Sequence, residues 1–120
     1  MDVPTKGGTM SELRNISVEE ALALVSDGAL LLDVREDNEW DAGHAADATH
    51  IALSDVPDHL DDLTKGRVIV CVCRSGVRSS RAATFLIQNG HDAINLEGGM
   101  LSWADNGAPI VGEGAEPSII

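Results

Sequence analysis

The chain has 120 residues, 43% of them hydrophobic, and a net charge of −12 from 20 acidic and 8 basic residues, which fits one globular domain with a single core and argues against nucleic acid as a partner. No apolar run approaches a membrane span, and the amino terminus lacks the charged and apolar regions of a signal peptide, so a soluble, cytoplasmic protein with no membrane partner is expected. The two cysteines, Cys71 and Cys73, give no disulfide framework and suit a reducing compartment.

Aspartate outnumbers glutamate, and Lys6 and Lys65 are the only lysines. This mix resembles proteins adapted to high salt, where screening removes self-repulsion, and an ordinary acidic surface accounts for it equally well.

Residues 1–13 hold Pro4, Gly7 and Gly8 and no periodicity, and are expected to form a flexible arm ahead of one domain spanning 14–110. Arg14 to Ile16 reads as a short first strand. Ser17 and Glu20 have capping-box spacing and open a helix with the apolar stripe Val18, Ala21, Leu22 and Val25, ended by Gly28. Ala29 to Val34 is an apolar run of the kind buried on both faces of a parallel sheet, and it carries Asp33 and Arg35 to its carboxyl end. Glu39 and Trp40 fall on a short helix, Gly43-His44 turns the chain, and Ala48 to Ile51 is a third strand. His44 reads as a local hydrogen-bonding residue of that turn. Pro57 to Leu63 predicts a short acidic helix with Leu60 and Leu63 facing inward. Its aspartates form a solvated face, and no spacing of Asp, His and Cys defines a metal site.

Val68 to Val72 is a second unbroken apolar run, and it stops at Cys73, where ligands of parallel sheets gather. From Cys73 to Arg78 only small or basic residues intervene, so successive N–H groups of Arg74, Ser75, Gly76, Val77 and Arg78 can curl around whatever the sulfur carries. A helix beginning beyond Arg78 adds positive potential at the same point. With Arg74 and Arg78 nearby, Cys73 is expected to be a thiolate nucleophile. Cys71, two residues earlier in the strand, reads as a buried core residue. After the loop, Ala82, Ala83, Leu86 and Ile87 recur at helical spacing. Asn89-Gly90 ends that helix, Ala93 to Leu96 is the last strand, and Gly98-Gly99 opens a terminal helix in which Met100, Leu101 and Trp103 face inward. Residues 111–120 have no period and read as a surface or disordered tail. Strand and helix signals alternate five times, which argues for an α/β fold with a parallel sheet covered on both faces.

The run Cys73-Arg74-Ser75-Gly76-Val77-Arg78-Ser79 resembles the active-site loop of rhodaneses, sulfurtransferases that carry sulfur as a cysteine persulfide. Leu31-Leu32-Asp33-Val34-Arg35-Glu36, Glu39-Trp40 and Gly43-His44 resemble the segment around that family's second strand. Leu96-Glu97-Gly98-Gly99-Met100, Trp103 and Pro109 resemble its closing segment, so the likeness covers about residues 15 to 110 in family order. The chain departs from the family at Ala45-Ala46-Asp47-Ala48, where Ile-Pro-Gly-Ala is common, and at Ala52, where proline is usual.

The resemblance implies a three-layer α/β/α domain with a five-stranded parallel sheet. It implies that the Cys73 thiolate attacks the outer sulfur of a donor such as thiosulfate, and that cyanide or a thiol, including one on a protein, accepts the sulfur. Residues 74–78 would bind substrate, Asp33, Arg35, Glu39 and Ser79 would brace the site, and Gly98 and Gly99 would leave room at its entrance. The reaction calls for no cofactor and no metal. Three other readings stand beside it: a non-catalytic binding module, a role of rhodanese-like domains that lack the cysteine, a phosphatase on the same fold, and a reductase of anions such as arsenate. Phosphatase loops of this plan place five residues between Cys and Arg where this chain has four, and the reductases need thiols beyond Cys71.

Overall fold

The computed structural model describes residues 12–114 and 116–120. Of the arm expected over residues 1–13, positions 1–11 therefore lie outside the described residues. In chain order the elements are β1 (Asn15–Ile16), α1 (Val18–Ser26), β2 (Leu30–Asp33), α2 (Asp37–Ala42), β3 (Thr49–His50), a 3-10 helix (Leu53–Asp62), β4 (Val68–Val72), α3 (Val77–Gln88), β5 (Asp92–Leu96) and α4 (Gly99–Asp105). The five strands form one sheet in the order β1-β5-β4-β2-β3, and every pairing is parallel. The α/β architecture expected from the alternating pattern is thus observed.

Side-chain alternation along each strand divides the core in two. Val70, Val72, Ile94 and Leu96 pack with Val18, Ala21, Met100 and Trp103 of α1 and α4. On the opposite face Ile69, Cys71, Cys73 and Ala93 pack with Ala82, Ala83 and Leu86 of α3 and with Val56 and Leu63 around the 3-10 helix. Cys71 and Cys73 therefore share the α3 face.

Local signals explain most boundaries. Ser17 accepts the Glu20 amide at 3.1 Å while the Glu20 carboxylate accepts the Ser17 amide at 3.1 Å, the capping box read from sequence. Two apolar positions expected to face inward turn outward: Leu22 is 41% and Leu101 39% exposed. Each stands one residue beyond a fully buried neighbour, Ala21 or Met100, and a helical step of about 100° carries it off the core face. The acidic helix starts four residues before Pro57, at Leu53, as a 3-10 helix. The helix after the Cys73 loop starts at Val77, so Val77 and Arg78 belong to its first turn.

The segment read as a tail runs along α2. His44 and Val111 exchange both backbone bonds at 2.8 Å, the Glu113 amide donates to the Asp41 carbonyl at 2.8 Å, and that of Ser118 to the Ala42 carbonyl at 2.9 Å. No helix among the described residues is long and apolar enough to cross a membrane.

Candidate active site

The central strand β4 has β5 on one side and β2 on the other, and Cys73 is the first residue past its carboxyl end. Here the chain leaves the sheet in two directions, the place where open α/β sheets form crevices. Cys73 itself is 1% exposed, and Arg74, Ser75 and Val77 around it are exposed. Gly76 turns the strand end into α3 with φ of 109°, a left-handed conformation that a side chain would strain. That turn brings the Gly76 amide to 3.1 Å from the Cys73 sulfur. Ser79, one turn into α3 and fully buried, places its hydroxyl 3.3 Å from the same sulfur.

Burial raises the Cys73 pKa, and the Ser79 hydroxyl together with the Ser79, Gly76 and Ser75 amides outweighs it, leaving the thiol below its ordinary value. Hydrogen bonds lead this effect, where the sequence pointed to the arginines. Both arginines are engaged elsewhere: Arg74 Nε donates to the Ile120 carbonyl at 3.0 Å, and Arg78 forms a two-bond pair with Glu39 at 2.7 and 2.8 Å. That pair lowers the Glu39 pKa to about 2, against the opposing effect of burial, and raises that of Arg78. Cys71 behaves oppositely to Cys73. Its fully buried thiol is pushed up to about 12 by desolvation and by the neighbouring Cys73.

Asp33 and Arg35 form a fully buried ion pair at 2.8 Å, with Arg35 Nε shared between both carboxylate oxygens. Arg35 Nη2 also donates to the Gly43 carbonyl at 2.7 Å, tying the end of β2 to the turn after α2. A buried pair of this kind adds little net stability but is costly to break. His44 lies in that turn, bonded through Nδ1 to the Trp40 carbonyl at 2.7 Å and stacked on the Trp40 ring at 3.5 Å. The local role read for His44 is the one its contacts describe.

Two residues at the site, Asn95 and Asn15, escaped the sequence reading. Asn95 on β5 accepts the Ser79 hydroxyl at 2.6 Å, and its Nδ2 donates to Asn15 Oδ1 at 2.8 Å and to the Gly76 carbonyl at 3.2 Å. Its signal was an amide side chain inside a buried strand, where an unpaired polar group is costly. Asn15 stands beside it in the β1–β5 register. The first amides of α4 cap the loop, Met100 N–H donating to the Cys73 carbonyl at 2.7 Å and Leu101 N–H to the Arg74 carbonyl at 3.1 Å, and a Cβ on Gly99 would overlap both carbonyls. The glycine pair thus serves close backbone approach at Gly99.

A family model described as the rhodanese-like domain matches residues 17–106. A sulfurtransferase of Allochromatium vinosum is 36% identical over 103 residues, 85% of this chain and 95% of that protein. The thiosulfate sulfurtransferase GlpE of Pseudomonas entomophila is 35% identical over 95 residues, covering 78% of this chain and 87% of that one. Among solved structures, a rhodanese-related protein of Thermoplasma volcanium superposes with a TM-score of 0.76 at 31% identity, over 82% of this chain and 97% of that one.

Proposed function

The chain belongs to the rhodanese-like domain family, and from that premise we propose that it is a sulfurtransferase that moves sulfane sulfur from thiosulfate to a thiol or cyanide through a persulfide on Cys73. The observation that carries this reading is the Cys73 sulfur at the end of the central strand, held by the Gly76 amide and the Ser79 hydroxyl. Such donors stabilise negative charge on sulfur and so favour both its attack and its later departure.

In the first half-reaction the Cys73 thiolate attacks the outer sulfur of thiosulfate, the sulfur–sulfur bond of the donor breaks, and sulfite leaves with the electron pair. The outer sulfur of the new persulfide then carries the charge, within reach of the loop amides of residues 74–78. In the second, the acceptor attacks that outer sulfur and Cys73 leaves as thiolate, giving thiocyanate from cyanide or a persulfide from a thiol. With Arg78 neutralised by Glu39, the exposed Arg74 is the charge that draws the dianionic donor to this face of an otherwise acidic protein. Asp33, Arg35 and Glu39 act behind the loop through their ion pairs.

The test is the intact mass after incubation with thiosulfate. One added sulfur that cyanide removes, absent in Cys73→Ser, is expected. Transfer activity that survives in Cys73→Ser would place the chemistry elsewhere.

A further inference from the structure

Ser79 has one hydroxyl proton and two claimants for it: the Cys73 sulfur at 3.3 Å and Asn95 Oδ1 at 2.6 Å. Asn95 cannot turn its amide over to yield, because its Nδ2 is already committed to two oxygens, Asn15 Oδ1 and the Gly76 carbonyl. Turning would set Oδ1 against both. The sheet register fixes this arrangement, placing Asn15, Asn95 and Cys71 in one row across β1, β5 and β4.

We propose that Asn95 is a positioning residue that holds the Ser79 proton and so decides when that hydroxyl serves the Cys73 sulfur. The inference rests on Cys73 being the reacting sulfur. When Cys73 is a neutral thiol, its S–H donates to Ser79 Oγ and the Ser79 proton stays on Asn95. When Cys73 ionises, its proton passes to solvent and the Ser79 hydroxyl turns to the thiolate. In the persulfide the charge lies on the outer sulfur, so the hydroxyl returns to Asn95. As the acceptor removes that sulfur and charge falls back on Sγ, the hydroxyl swings to the leaving thiolate. The Ser79 proton thus follows the charge on Sγ, and Asn95 opposes its premature delivery.

The other titratable or charged groups around Cys73 are Cys71 on β4, Arg74 in the loop, and Arg78 on α3 with its partner Glu39 on α2. The Asp33–Arg35 pair at the carboxyl end of β2 is internally neutral, and β5 and α4 bring Asn95, Gly99 and Met100, which do not titrate. None of these groups changes in the comparison below.

The experiment is the rate of iodoacetamide alkylation of Cys73 against pH, read by peptide mass with no sulfur donor present. Ser79→Ala moves the midpoint up and Asn95→Leu moves it down, each by about one pH unit, the scale of a hydrogen bond to a charged group. In Ser79→Ala/Asn95→Leu the midpoint equals that of Ser79→Ala. A midpoint unmoved or raised in Asn95→Leu, or a downward shift that persists without Ser79, overturns the proposal. The Gly76 carbonyl keeps the Ser80 amide at 3.2 Å in Asn95→Leu, which limits collateral damage. Should that variant fail to fold, Asn15→Ala at an exposed position frees the same amide. It is then expected to lower the midpoint by a smaller amount, and no shift there sinks the idea. Persulfide mass is measured on separate, unalkylated portions of the same proteins after incubation with thiosulfate. Absence of persulfide with the coupling intact counts against sulfur transfer alone, and normal persulfide without the coupling counts against Asn95 alone.

Discussion

Arg78 and Glu39 meet fork to fork, Nη1 at 2.7 Å from Oε1 and Nη2 at 2.8 Å from Oε2. The pair joins the first turn of α3 to α2, and Glu39 also accepts the Glu36 amide at 3.0 Å to close the α2 cap. The loop that surrounds Cys73 is therefore anchored at its far end by a residue 39 positions upstream.

Glu39→Gln tests that anchor. Folding lowers the Glu39 pKa from 4.5 to about 2, so its stabilisation is present above the unfolded value and is lost as pH falls toward the folded one. At pH 7 the variant should be less stable by on the order of 1–3 kcal/mol, the lower end allowing for screening at the partly exposed Arg78. Denaturant titrations across pH should show the two proteins converging between about pH 4.5 and pH 2. A gap that stays constant over that range would mean the ion pair is not its source.

Gly99→Ala should abolish most sulfur transfer. Gly99 has φ of 59°, and an added Cβ would overlap the Cys73 and Arg74 carbonyls, forcing α4 off the loop. A displacement of about 1 Å at a reacting group costs on the order of a hundredfold in rate. Gly28→Ala is the control, with φ of 107° and nothing near the added carbon. It should lose about 1–2 kcal/mol of stability and keep its turnover. Equal activity in the two variants would remove the steric argument.

How far the sequence reaches is clear from these residues. Cys73 and its loop were legible because an apolar strand, a Gly-containing turn and a helix are contiguous there, and the capping box at Ser17 and Glu20 is equally local. The parallel order followed from alternation. Asn95 was not legible in its role, because its meeting with Ser79 depends on β5 lying beside β4, a fact of sheet order that no local pattern carries. Leu22 and Leu101 failed for another reason: each adjoins a buried residue, and only packing decides which of two neighbouring apolar positions faces in. The bonds of Val111, Glu113 and Ser118 to His44, Asp41 and Ala42 are backbone contacts, to which composition is blind.

Cys71→Ala should retain nearly all persulfide formation. The Cys71 thiol is fully buried and pushed up to about 12, so at neutral pH it is neither nucleophile nor resolving group. The variant should cost about 1 kcal/mol for the small cavity. Iodoacetamide at neutral pH should label Cys73 and spare Cys71 in the wild type. A shortened persulfide lifetime in Cys71→Ala would revive a resolving role.

The net charge of −12 gives a further expectation. If the acidic surface is an adaptation to high salt, the melting temperature should climb steadily from dilute buffer to molar salt, since exposed like charges repel most at low ionic strength. An unchanged melting temperature rejects that reading and leaves an ordinary acidic surface.

Loop length separates sulfur from phosphate chemistry. Four residues lie between Cys73 and Arg78, and α3 already begins at Val77, so only three residues bridge the cysteine to the helix. The Gly76 amide closes to 3.1 Å from the sulfur as a result. A ring this tight suits one additional sulfur atom on Cys73 and crowds a tetrahedral phosphoryl group with its three oxygens. No significant hydrolysis of aryl phosphates is therefore expected. One small residue inserted after Gly76 should weaken sulfur transfer, because the donors move away from the position they must hold around the sulfur. Wild-type phosphatase activity that rivals sulfur transfer and disappears in Cys73→Ser would overturn the argument, since it would show that the short loop admits the larger group after all.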